Sequence, residues 1–291
     1  MTKGALLLTL ATLLWSGNYI AGRILAPAMP AFLLNGVRWA VSAALLLIIM
    51  TAKGKRVPLK AYWKELSLLG FIGMFMFSTL TYLGLHTVPA AQAGMISGTM
   101  PAAILLLGVI LLRERPTAVA WSGMALSMLG VVVLVGAGST GHFAFSIGDV
   151  DLVVAAVSWG LYTVLGKRFS RGMDALTMTA GAALYGAIPS LLASLLLTPG
   201  GSVHMTPIAW ISLLYVSTAA SVIAYFVWTA GVNMIGASRS APFINLLPVW
   251  TVVLGILLLG ERLTLSESIG GAIIVIGALL ANTRQKPRTS R

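Results

Sequence analysis

The chain contains no cysteine among its 291 residues, so it forms no disulfide and performs no thiol chemistry. It is also poor in charge. Only 9% of residues are Asp, Glu, Lys or Arg, against about 25% in a soluble domain, while 58% are hydrophobic. That balance excludes ordinary water-soluble folding. Acids are the scarcest, and Glu65, Glu114, Asp149, Asp151, Asp174, Glu261 and Glu267 all fall at or near the ends of apolar stretches. The chain thus lacks a mid-membrane carboxylate that would exchange a proton for a cation. An intramembrane enzyme needs a nucleophile with a base, or a metal cluster, at depth. With His142 and His204 in loops and no buried acid, neither an enzyme nor a metal or other cofactor is expected.

What is present is apolar length. Ten stretches of about 20 mostly apolar residues can each cross a ~30 Å hydrocarbon core. They cover residues 4–26, 30–50, 65–87, 90–112, 117–137, 150–169, 174–197, 207–231, 237–259 and 265–283. Barrel strands would be about 10 residues long and alternate in polarity, whereas "AALLLIIM" and "GVILL" are apolar all round. The expected fold is an all-α polytopic membrane protein. The first stretch, with Lys3 before it and Ala26 and Ala28 after it, has the outline of a signal peptide but is too long for one.

The net charge is +12, yet its placement argues for a membrane rather than nucleic acid. Threading ten helices puts Lys3, Lys53, Lys55, Arg56, Lys60, Lys64, Arg113, Arg115, Lys167, Arg168, Arg171, Arg239, Arg284, Lys286, Arg288 and Arg291 on one side. Arg23 and Arg262 fall on the other side, and Arg38 lies inside a span. That asymmetry predicts cytoplasmic termini and a multi-pass inner-membrane protein. Aromatic residues do not interleave with the basic ones, so the expected partners are a small molecule and the bilayer, not nucleic acid. A monomer is favoured.

The chain also repeats itself. "LLRERPT" (Leu111 to Thr117) returns as "LLGERLT" (Leu258 to Thr264), an offset of 147 positions, from 111 to 258. The same offset relates Gly84 to Gly231, Pro101 to Pro248, Gly123 to Gly270 and Gly130 to Gly277. Nearer the start the offset is 144, and "WSGNYIAGR" from Trp15 matches "WGLYTVLGK" from Trp159. Two five-helix units follow, residues 1–140 and 141–291. Five is odd, so the second unit is inverted in the membrane. Inverted repeats about an axis in the membrane plane are a transporter signature. The repeated "ER" and Thr have a plainer role: Thr117 and Thr264 N-cap the next helix, and Thr264 with Glu267 has capping-box spacing.

The blocks "LLWSGNYIAGR", "VPAAQAGMISGTMPAAILLLGVILLRERPT" and "GASRSAPFINLLPVWTVVLGILLLGERLT" resemble the EamA family of the drug/metabolite transporter superfamily. Within it the chain is most similar to bacterial amino-acid exporters of the YddG type. The resemblance covers nearly the whole chain. It implies ten helices, with one to four and six to nine around a central cavity and five and ten peripheral. It further implies export of amino acids or related metabolites. Small multidrug transporters, which resemble one half of such a protein, use a carboxylate in their first helix, where this chain has "LLWSGNY".

Intramembrane polar groups are the site candidates. Trp15 and Trp159 are repeat mates at mid-depth, with Asn18 and Tyr162 beside them, and Tyr82 is another aromatic with a polar tip. Pro101 and Pro248 fall near the middles of their spans and would free the carbonyls of Ser97 and Ile244 for a substrate ammonium. A kink that only shapes the helix is the equal alternative for each proline. Ala90, Gly94, Ser97, Gly98 and Pro101 form a small-residue stripe that suits tight packing as well as a cavity wall. Asn245 replaces Gly98 in the second copy and adds a hydrogen-bonding group. Arg38 lies about 8 residues below the outer end of its span, ~12 Å deep at 1.5 Å per residue. It is placed to bind a carboxylate, to snorkel outward or to tie down carbonyls. The substrate-binding candidates are Trp15, Asn18, Arg38, Tyr82, Ser97, Pro101, Trp159, Tyr162, Asn245 and Pro248. The function expected is export of apolar or aromatic amino acids and related metabolites by alternating access. A drug exporter and a passive channel are the alternatives.

Overall fold

The computed structural model describes residues 3–55, 57–136, 146–169, 173–198, 202–235 and 241–281. Arg56, His142, Arg171, Arg239 and the basic tail from Arg284 lie outside these residues. Among the described residues every regular element is helical. They are α1 (Lys3–Leu25), α2 (Ala31–Ala52), α3 (Trp63–Thr87), α4 (Ala90–Ser97), α5 (Met100–Leu112) and α6 (Ala118–Gly136). After them come α7 (Ile147–Phe169), α8 (Ala175–Leu197), α9 (Pro207–Thr218, continued through Ala219–Ile223 and Ala224–Ile235), α10 (Leu246–Leu259) and α11 (Leu265–Ala281).

Seven units are long and apolar enough to cross a membrane: α1, α2, α3, α4 with α5, α7, α8 and α9. The other three expected spans appear as shorter apolar helices, Ala118–Leu134, Phe243–Leu259 and Leu265–Leu280. At 1.5 Å per residue, 17 residues reach only ~25 Å, short of a ~30 Å core. Within the described residues, seven of the ten expected spans are thus long enough to cross by length and composition.

Packing follows from small residues and shared polar contacts. α6 lies along α11, where Cβ atoms at Gly130 and Gly270 would stand 2.7 Å from Ile274 Cγ1 and 2.5 Å from the Leu134 nitrogen. Glycine permits that approach. α2 packs on α8, α1 on α9 and α10, and α5 on α7. Asn35 of α2 donates to the Met74 carbonyl and to Thr79 Oγ1 of α3, at 3.1 and 2.9 Å, and to Ser190 Oγ of α8 at 3.1 Å. Ser16 of α1 donates to the Leu247 carbonyl, and Ser42 of α2 to that of Ser217, both at 2.9 Å. In lipid such bonds replace the hydrophobic driving force between helices.

The interior has two apolar clusters. One gathers Tyr19, Leu34, Tyr82, Ile96, Leu152, Val216 and Leu247, with Trp15 against it. The other gathers Trp39, Leu46, Met74, Tyr162, Ala183 and Val222, with Trp159 against it.

Four local irregularities occur at matched positions. α3 contains a π-helical segment, Gly70–Phe77, and α9 contains another, Ala219–Ile223. Subtracting 147 from the second range gives 72–76, inside the first. Ser221 Oγ donates to the Val216 carbonyl, five residues back, at 2.7 Å and so satisfies an acceptor that the π turn displaces. α5 ends at left-handed Arg113 (φ 54) and α10 at left-handed Gly260 (φ 66), 147 positions apart. At both ends the following glutamate N–H bonds back to a glycine carbonyl: Glu114 to Gly108 and Glu261 to Gly255, each at 3.2 Å.

Candidate functional site

The two clusters meet at a cavity of about 50 Å³. At roughly 10–15 Å³ per water it has room for a few waters. Trp15 and Asn18 reach it from α1, Arg38 and Trp39 from α2, Phe77 and Ser78 from α3, Trp159 from α7 and Tyr225 from α9. Met100, Ile244 and Leu247 close it from the broken helices. Its walls are mostly rings. Trp15 and Trp159 meet edge to face at 6.5 Å between centroids, and Phe77 lies 4.9 Å from Trp159. Tyr225 and Trp228 lie 5.4 and 5.3 Å from Trp15. Edge and tilted geometries of this kind suit the ring quadrupoles.

The polar side of the cavity centres on Arg38. Its Nε donates to Ser221 Oγ and its Nη1 to the Tyr82 hydroxyl, both at 2.8 Å. Tyr82 in turn donates to Asn18 Oδ1 at 3.0 Å. The guanidinium lies 4.9 Å from the Trp39 ring centroid and 5.6 Å from that of Tyr82. Of the three roles open to Arg38, the structure excludes snorkelling, because the residue is only 6% exposed. Its side-chain partners are hydroxyls rather than carbonyls.

Four of the ten candidates, Trp15, Asn18, Arg38 and Trp159, line the cavity. Tyr82 stands behind Arg38 and Asn18, and Tyr162 behind Trp159 at 5.3 Å. Ser97, Pro101, Asn245 and Pro248 do not line it. The proline reading needs correction. Neither proline kinks a continuous helix; each stands in the first turn of a new one. Gly98 and Thr99 N–H groups bond three residues back, to Met95 and Ile96, and α5 starts at Met100 with Pro101 in its first turn. Residues 241–245 form a short 3-10 turn before α10, and Pro248 is the third residue of α10. Proline lacks the N–H that a helix start leaves unbonded anyway, so it suits a restart. The stripe at Gly94 and Gly98 packs against Thr251 and Ile274 rather than facing the cavity. Asn245 is buried, with neither amide atom bonded among the described residues.

Sequence reasoning missed Trp39, Phe77, Ser78, Met100 and the Arg38 partner Ser221. Trp39 follows Arg38 directly, which is a usable signal. Phe77 and Ser221 depend on π turns, which the 3.6-residue helical period does not reveal.

A second cavity, of about 490 Å³, lies between α2, α8 and α9. Lys53, Lys55, Asp174, Thr179 and Phe226 line it, and Tyr225 lines both cavities. Lys55 Nζ pairs with Asp174 Oδ2 at 2.8 Å, and Lys53 Nζ lies 5.1 Å from the Phe226 ring. The bond to Lys55 and the Thr177 N–H hold the Asp174 carboxyl below the usual carboxylate range.

Apolar helices long enough to span a membrane, packed about an aromatic cavity with a buried cation, define a multi-pass membrane protein with an enclosed central cavity. The EamA-like transporter family matches residues 2–136 and 146–283, and the chain belongs to that family. It is 29% identical to an uncharacterized transporter of Archaeoglobus fulgidus over 98% of this chain and 99% of that protein. It is also 29% identical to a "probable amino-acid metabolite efflux pump" of Salmonella typhimurium, over 96% of this chain and 94% of that one. A crystal structure with 26% sequence identity superposes with a TM-score of 0.67 and covers 96% of each chain.

Proposed function

We propose that the protein exports amino acids, apolar and aromatic ones favoured, together with related small metabolites, across a bacterial inner membrane. Two five-helix halves, residues 1–140 and 141–291, lie inverted with both chain termini in the cytoplasm. They alternate access to the cavity between Trp15 and Trp159. The observation that carries this reading is the meeting of those two repeat mates at 6.5 Å, where the two apolar clusters join. The matched π segments, helix restarts and left-handed ends support a repeat of structure as well as of sequence. Inversion rests on the odd number of helices per half and on the basic-residue asymmetry.

The substrate class draws on the printed name of the Salmonella relative and on the cavity walls. Rings accept an apolar tail, while Asn18, Arg38 and Ser78 offer polar contacts to a head group. The larger cavity is the cytoplasmic vestibule, since Lys53 and Lys55 belong to the basic side. The test is counterflow in proteoliposomes with a panel of common amino acids as competitors. Saturable uptake that speeds up when substrate is loaded on the opposite side supports a carrier. Non-saturable flux without that acceleration identifies a channel. Cysteine at Lys55 should resist impermeant external reagents and cysteine at Ser202 should react; the reverse pattern overturns the orientation.

A further inference from the structure

The central cavity has a buried positive charge and no negative one. Among the described residues, Arg38 is bonded only to the neutral hydroxyls of Ser221 and Tyr82. The two described salt bridges belong to other residues, Lys55 with Asp174 and Lys167 with Glu114. Every acid has another location. Asp149 bonds Gln92 and Ser146, Glu261 bonds the N–H groups of Ala90 and Ala91, and Glu267 closes the capping box at Thr264. Glu65 and Asp151 lie near helix starts, and neither lines the cavity. A guanidinium has five N–H donors, and two are used here. A buried ion without a counter-ion is costly, and a carboxylate matches the planar fork in a bidentate manner.

From this imbalance we infer that, among the amino acids and related metabolites proposed above, the related anionic monocarboxylates with an apolar or aromatic tail and no free ammonium are carried in preference to the zwitterions. This inference rests on the central cavity being the substrate site. A carboxylate entering the cavity neutralises Arg38. An ammonium on the same molecule would lose its water, meet no acid and stand near a like charge. Ring faces attract a cation only weakly compared with a carboxylate. An amino acid whose amino group has been removed or acylated fits these constraints better than the zwitterion does. The reactions that supply such substrates are transamination, deamination and N-acylation of amino acids. The vestibule agrees in sign, because Lys53 and Lys55 outnumber its single carboxylate, Asp174. Excess positive charge at a mouth raises the local concentration of anions.

Four probes that share a benzyl tail test the inference: phenylpyruvate, N-acetylphenylalanine, phenylalanine and phenethylamine. The full-length protein is reconstituted in proteoliposomes, and each probe is measured for uptake and for competition. The expected order places the two anions at least tenfold ahead of phenylalanine, with phenethylamine inert. Anion uptake should rise when the lumen is made positive, because one net charge crosses. Phenylalanine uptake should not respond. R38Q should lose at least tenfold of anion uptake, and R38K should keep part of the preference. If R38Q does not fold, as judged by size exclusion, the wild-type order and its voltage response still decide. Phenylalanine equal to or ahead of the anions, with W159A abolishing its uptake, overturns the anion preference and leaves the cavity standing. Uptake of the probes that W159A leaves unchanged overturns the cavity reading itself, and this inference with it.

Discussion

The carboxylate of Glu261 accepts hydrogen bonds from the backbone N–H groups of Ala90 and Ala91, at 2.7 and 2.8 Å, across 171 and 170 residues of sequence. Those N–H groups open α4, which has no side-chain cap of its own. A negative charge at a helix start meets both the unbonded donors and the positive end of the dipole. The repeated "ER" is thus a device that ties the end of α10 to the start of α4. Its partner Glu114 reaches Lys167 of α7 at 2.7 Å.

Glu261→Gln keeps an acceptor oxygen but removes the charge, and Glu261→Ala removes both. Charge-assisted bonds contribute about 1.5–3 kcal/mol. We expect the melting temperature in detergent to fall in the order wild type, Gln, Ala. Gly255→Ala should mimic the loss, because its Cβ would stand 2.6 Å from Glu261 Oε2. Equal melting of all four proteins would show that the cap is idle.

Trp159 and Trp121 separate a cavity role from a general aromatic one. Trp159 touches Trp15, Phe77 and Tyr162, whereas Trp121 is 38% exposed on α6. Trp159→Ala should lower transport at least tenfold with little change in expression. Trp121→Ala should stay within about twofold. Equal losses would place the site elsewhere.

Much of this architecture was legible in the sequence, because apolar length and punctuation act locally. The helix limits follow the apolar runs, and the Thr117 and Thr264 caps appear as expected, with Thr117 Oγ1 accepting from Ala120 at 3.2 Å and Thr264 bonded to Glu267. The positions of Trp15 and Trp159 near the middles of their helices could be counted from the helix ends. What could not be counted was rotation about a helix. A π turn adds a residue and shifts each later side chain by about 100°, so Phe77 and Ser221 escaped notice. The prolines were misread for a related reason. Pro101 inside an apolar run looks like a kink, and only the bonds at Gly98 and Thr99 show a stop and a restart.

Gly186 of α8 faces Gly70 of α3 at a tight crossing. A Cβ there would lie 2.5 Å from Met74 Cβ and 2.6 Å from the Gly70 carbonyl. Gly186→Ala should therefore destabilise by about 1–3 kcal/mol, the usual cost of overpacking. Gly166→Ala is the control, since its Cβ would meet only Met178 Cε at 3.6 Å. In that position alanine should be neutral or gain up to ~1 kcal/mol from helix propensity. Thermal melting of the two variants side by side decides whether this contact is as close as described.

The Lys55–Asp174 pair gives a pH dependence of known sign. The carboxyl is depressed in the folded protein, so its contribution is present above the unfolded value of about 3.9 and is lost as pH falls through the lower folded value. Both side chains are half exposed, which screens the pair to about 0.2–1 kcal/mol. Asp174→Asn keeps an N-cap acceptor for Thr177 and removes only the charge. The melting gap between wild type and Asp174→Asn should be small but measurable at pH 7 and should close below about pH 3.9. A gap that widens on acidification would contradict the assigned sign.

Among the described residues Tyr225 alone lines both cavities, and on the proposed orientation it separates the substrate site from the cytoplasmic vestibule. Its ring is held edge to face against Trp15 at 5.4 Å, so it cannot turn aside without losing that contact. Replacing it with alanine would join the small central cavity to the larger one while leaving the bonds of Arg38 to Ser221 and Tyr82 in place. Cysteine placed at Ser78, beside the central cavity, should then react faster with a small membrane-impermeant thiol reagent applied from the cytoplasmic side. Downhill flux should rise, and acceleration by substrate on the opposite side should weaken, because a carrier with one face left ajar no longer needs substrate to return. If Tyr225→Ala leaves both labelling and flux unchanged, the two cavities communicate by another route and Tyr225 is only part of the aromatic wall.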